Sequence, residues 1–97
     1  MDIACTLSST ALASRRGRWS RLITDSGIAR ETTPDGLRLR FRADPDTVRE
    51  LCALAAAERD CCAWAEWSVE SAGEEVALHV RSPGGGAAAL HAMFTGL

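Results

Sequence analysis

The chain has no tyrosine, no lysine and only two phenylalanines, so leucine, valine, alanine and three tryptophans must fill its interior. The missing lysine also excludes a phosphate loop. The run Ser82-Pro83-Gly84-Gly85-Gly86 has the glycines but not the Gly-Lys-Ser/Thr ending that such a loop needs to reach phosphate and metal. No stretch approaches the roughly 20 apolar residues of a membrane span. Met1-Asp2-Ile3-Ala4-Cys5 lacks the charged start and apolar run of a signal peptide, so the expected compartment is the cytoplasm. There is no large excess of charge either. A formal net charge of −2 argues against a protein whose main business is nucleic-acid phosphate. The four cysteines show no CxxC spacing. In a reducing cytoplasm they read as free thiols and not as two disulfides.

With 97 residues, 46% of them hydrophobic and 25% charged, the composition is that of one globular domain covering residues 1–97 around a single core. Ile3 to Leu7 is a short apolar entry segment carrying Cys5. Ser8 or Ser9 can cap a helix by accepting from a free first-turn amide. Leu12, Trp19, Leu22 and Ile23 then keep helical spacing to about Asp25, with Gly17 as a weak point inside. Arg15, Arg16, Arg18 and Arg21 make this helix basic, either as a solvated face or as a site for an acidic partner.

Thr33-Pro34-Asp35-Gly36 is turn chemistry. It leads into a strand in which Leu37, Leu39 and Phe41 alternate with Arg38, Arg40 and Arg42. Asp44-Pro45 starts a central helix, with Asp as N-cap and Pro at the first position, where no amide is needed. Val48, Leu51, Cys52, Ala55, Arg59 and Cys62 follow helical spacing, and the helix is expected to run to about Ala63. At 100° per residue Cys61 lies about 180° from Cys52, so the two cannot share a face. Cys52 is therefore assigned to the core.

Trp67 and Val69, then Val76, Leu78 and Val80, alternate with polar residues on either side of Ala72-Gly73, the pattern of a hairpin. Its glutamates, Glu66, Glu70 and Glu75, can pair with the arginine row. Ala87 to Phe94 supplies a last short helix, and no internal repeat is visible. The order α-β-α-β-β-α predicts an α+β two-layer sandwich, a three-stranded sheet with helices on one face. The other face is left open to a homodimer.

The chemistry concentrates in Glu58-Arg59-Asp60-Cys61-Cys62-Ala63-Trp64-Ala65-Glu66-Trp67. Adjacent Cα atoms sit about 3.8 Å apart, closer than the usual disulfide range of about 4.4 to 6.8 Å. The pair thus points to thiolate chemistry or soft-metal binding, with inert packing as the plain alternative. Two or three thiolates suffice for Hg(II) or Cu(I), and Cys5, Cys61 and Cys62 are the candidate ligands. His79 and His91 show no ligand spacing and are left out.

Ile3-Ala4-Cys5-Thr6-Leu7-Ser8 together with the Glu58–Trp67 segment resembles a family of small, uncharacterised bacterial proteins with a Cys-Thr-Leu start and a Glu-Arg-x-Cys-Cys-x-aromatic centre. The same cysteine motifs are similar, over about a dozen residues, to those of organomercurial lyases. That resemblance implies a first cysteine at Cys5, a second at Cys61, and Ser8 where the lyases carry a proton-donating Asp. Serine cannot protonate a departing carbon as a carboxylic acid does. Asp60 or Glu58 would have to stand in. The expectation is therefore thiol-based binding of a thiophilic metal or organometal, with no further cofactor required. If the protein is an enzyme, it is a carbon–mercury lyase or thiol oxidoreductase using Cys61, Cys5 and Asp60. A structural or protein-interaction module with packed cysteines is the remaining reading.

Overall fold

The structure is a computed structural model that describes residues 9–61, 64–82 and 86–94. Its elements are α1 (Ser9–Ser26), β1 (Gly27–Thr33), β2 (Gly36–Arg42), α2 (Pro45–Cys61), β3 (Glu66–Ala72), β4 (Glu75–Arg81) and α3 (Gly86–Met93). The four strands form one antiparallel sheet in the order β1-β2-β4-β3. The expected three-stranded sheet is thus corrected to four strands in an α-β-β-α-β-β-α chain. The strand that sequence patterning missed is β1. Its only large apolar residue is Ile28, and an edge strand exposed along most of its length needs no alternation.

Register explains why one face is buried. Leu37, Leu39 and Phe41 of β2 stand opposite Val80, Leu78 and Val76 of β4, and Trp67 and Val69 of β3 stand opposite Val80 and Leu78. This apolar face meets Trp19 and Leu22 of α1, Leu51, Leu54 and Ala55 of α2, and Leu90 of α3, all of them buried. Phe94, just past α3, packs edge-on against Trp19 with centroids 5.3 Å apart and lies 6.4 Å from the Trp67 ring. Burying one such ring contributes about 1.5–3 kcal/mol.

The opposite face is ionic and largely self-paired. Arg40 forms a bidentate bond to Glu75 at 2.8 and 3.0 Å, Arg81 reaches Glu66 at 2.6 Å, and Arg38 lies 3.7 Å from Glu31. The expectation that the hairpin glutamates offset the arginine row holds for Glu75. Glu70 lies instead 3.4 Å from His79.

The sheet carries an internal two-fold that the sequence conceals. Each strand of the second hairpin begins 39 residues after its counterpart in the first, Gly27 to Glu66 and Gly36 to Glu75. The cross-strand pairs follow the same offset: Ala29↔Arg40 becomes Ser68↔His79, and Thr33↔Gly36 becomes Ala72↔Glu75. The β2–β4 seam maps onto itself about Leu39↔Leu78. The exception is a bulge between Gly27 and Ala29, which throws Ile28 out of register.

Gly36 and Gly73 are each required by this geometry. At Gly36 a Cβ would lie 1.8 Å from the Val80 carbonyl oxygen, so any side chain would force β2 away from β4. Gly73 turns the second hairpin at φ +64°, in the left-handed region.

Candidate functional site: the C-terminal turn of helix α2

The buried stripe of α2 is Thr47, Leu51, Leu54, Ala55 and Glu58, at helical i, i+4, i+7 spacing. Cys52 lies off this stripe and is exposed, which corrects its assignment to the core. The stripe was hard to read because alanines at 53, 55, 56 and 57 give little contrast, and because two of its members, Thr47 and Glu58, are polar. Cys61 is the last residue of α2.

Glu58 is the buried charge of the molecule's α1–α2 interface. It is 4% exposed and accepts from the Trp19 indole N–H at 2.8 Å and from Arg15 at 2.8 Å, while Arg15 also donates to the Ala57 carbonyl at 3.2 Å. A carboxylate at this depth requires such partners, because an unpaired buried charge costs several kcal/mol. Next along the helix, Arg59 Nε donates to the Trp67 carbonyl at 3.0 Å. The Glu-Arg of the Glu-Arg-x-Cys-Cys sequence therefore ties the last turn of α2 to α1 on one side and to β3 on the other. Sequence reasoning treated Glu58 as a stand-in acid. Its two partners mark it instead as a structural carboxylate.

The segment after the cysteines is also held. Trp64 offers its carbonyl to the Ser82 hydroxyl at 3.3 Å, and Trp67 is buried at 4% exposure. The Trp64 indole N–H is itself buried and finds no acceptor among the described residues. Asp60 is exposed.

Cys5, Ser8 and Cys62 lie outside the described residues, as do the Ile3–Leu7 entry segment and the glycines at 84 and 85. Among the described residues no group of three or more His, Cys, Asp or Glu side chains is arranged to hold a metal ion. His91 bonds the Gly36 carbonyl at 2.8 Å, in keeping with a packed histidine. Arg15 and Arg18 in the basic row of α1 are engaged within the fold: Arg18 grips Glu50 with two bonds of 3.0 and 2.6 Å, and Arg15 serves Glu58. The Arg18 guanidinium holds the Glu50 carboxyl below its usual value, and Arg40 does the same for Glu75.

Fold and site together define a small α+β domain, two hairpins in one antiparallel sheet under three helices, with a thiol-bearing helix end fixed from both sides. The chain matches no protein-family model, no curated protein and no solved structure. No helix among the described residues is long and apolar enough to cross a membrane.

Proposed function

We propose that this protein binds a thiophilic metal ion or organometal, Hg(II) or Cu(I) in chemistry, in the cytosol through the thiolates of Cys5, Cys61 and Cys62. The observation that carries the reading is the fixing of the α2 terminus by Glu58 and Arg59 immediately before the paired cysteines. A rigid last turn limits the entropy lost when a thiol is ordered on a metal. The resemblance to the cysteine motifs of organomercurial lyases supports Cys5 and Cys61 among these ligands. Each cysteine loses its proton as the soft ion binds, so the mechanism is thiolate transfer.

Binding is favoured over carbon–mercury cleavage. Ser8 stands at the acid's position and Glu58 is committed to Arg15 and Trp19, which leaves exposed Asp60 as the proton donor of a lyase. Cys52 belongs to another face of α2 and takes no part.

The test is titration of the reduced Cys52→Ser protein with Hg(II), following thiolate-to-metal absorbance and mass. One tightly held equivalent is expected, with affinity lost in Cys5→Ser and Cys61→Ser. Unchanged stoichiometry and affinity in both variants would rule the reading out. Turnover of a phenylmercury compound with excess thiol would identify a lyase. A measurable Cys61–Cys62 disulfide couple would identify an oxidoreductase.

A structural or interaction module is the second reading, favoured by the fact that Glu58 and Arg59 serve the fold whatever the thiols do. It expects Cys61 and Cys62 to resist alkylation in the native protein.

A further inference from the structure

The internal two-fold of the sheet makes its two ends comparable. At one end Trp67 occupies the second position of β3, is 4% exposed and packs toward Phe94. At the other end the equivalent second position of β1 is Ile28, which the bulge displaces and leaves 46% exposed. Ile28 is the exposed large hydrophobic residue of the described chain. Beside it is a recess of about 200 Å³ lined by Ile23, Ile28, Leu39 and Phe41, with Arg30 and Arg40 completing the wall. The place that an indole fills in one half of the sheet is thus open in the other.

Size and charge select an occupant. Apolar cavities of about 150 Å³ bind benzene, so a recess of 200 Å³ admits one aromatic ring with a short substituent. No acidic residue lines it, and both charged residues that do are arginines. Arg40 spends its Nε and one terminal nitrogen on Glu75. Arg30 is exposed and donates one terminal nitrogen to the Phe94 carbonyl at 2.7 Å, which ties it in place at the rim. A guanidinium has five N–H donors in a fork that suits a carboxylate, so this bond leaves donors for a ligand.

We infer that the recess at the β1 bulge binds a small monocyclic aromatic acid, its ring against Ile23, Ile28, Leu39 and Phe41 and its carboxylate on Arg30. The site is separate from the α2 terminus and does not depend on metal binding there.

Benzoate is the probe, added to the full chain while backbone amide resonances are followed. Saturable shifts centred on Ile23, Ile28, Leu39 and Phe41 are expected. Arg30→Gln should weaken benzoate roughly tenfold, the loss expected for a charge-assisted hydrogen bond. Benzyl alcohol, which has the ring without the charge, should bind the native protein about as weakly as benzoate binds that variant. Ile28→Trp should fill the recess as Trp67 does in the other half, keep the fold and abolish the shifts. Absence of saturation up to the solubility limit of benzoate, shifts centred elsewhere, or undiminished binding in a folded Ile28→Trp protein would overturn the assignment.

Discussion

Replacing Glu58 by Ala should be among the most damaging single changes in any helix of this protein. The carboxylate is 4% exposed and accepts at 2.8 Å from both Trp19 Nε1 and Arg15, whose side chain is 17% exposed. Its removal takes the Glu58 acceptor from a buried indole N–H and the Glu58 carboxylate from a half-buried guanidinium. Breaking a buried pair by deleting one partner costs about 3–5 kcal/mol. An unsatisfied buried donor alone accounts for about 1–3 kcal/mol of that. Against a total stability of about 5–15 kcal/mol for a domain, this is a large fraction. Urea or guanidinium unfolding should show the midpoint falling with an unchanged slope, and the melting temperature should drop by about 12 °C or more. The double variant Arg15→Met with Glu58→Met isolates the charge. Replacing both partners by apolar groups should recover much of the loss, because no unpaired ion remains. A loss below about 1 kcal/mol in Glu58→Ala would refute the claim that this carboxylate fixes the end of α2.

Other outcomes follow from the same geometry. Gly36→Ala should destabilise by about 1–3 kcal/mol or more, because the new Cβ meets the Val80 carbonyl oxygen at 1.8 Å and cannot be accommodated by a side-chain rotation; denaturant unfolding measures it. Glu50 and Glu75 are held below the usual value of 4.5 by hydrogen bonds from Arg18 and Arg40, so both contribute stability above about pH 4.5 that is lost as pH falls through their lower folded values. Glu50→Gln and Glu75→Gln should therefore flatten the acid limb of a stability–pH profile and leave its alkaline limb unchanged. Cys52 should react with a thiol reagent in the native state, and Cys52→Ser should change stability by less than about 0.5 kcal/mol, as exposed positions do.

Local pattern in this chain is clear where burial is one-sided and obscure elsewhere. β2 and the β3–β4 hairpin were legible because their large apolar residues alternate with charged, polar or small ones, and α2 was legible at its start through Asp44-Pro45. β1 was not, because an edge strand held by backbone bonds on one side, with Arg30, Glu31 and Thr32 exposed, has no period to detect. Missing it also hid the two-fold, since the hairpins share only Glu31/Glu70, Leu39/Leu78 and Arg42/Arg81 as identical residues at equivalent strand positions. In the candidate site, the Glu-Arg-x-Cys-Cys sequence was recognised as a unit, but the division of labour inside it was not. Burial of a glutamate depends on an arginine and a tryptophan 43 and 39 residues away, and no local spacing encodes those contacts.

The functional reading of the α2 terminus stands only if thiols near it hold a soft ion. X-ray absorption at mercury, measured on the one-equivalent complex of the Cys52→Ser protein, tests this most directly. The account predicts two or three sulfur neighbours at about the usual metal–thiolate distance of 2.3 Å, with one sulfur lost in Cys61→Ser. A coordination shell of oxygen and nitrogen, or a sulfur shell that Cys61→Ser and Cys5→Ser both leave unchanged, would contradict it.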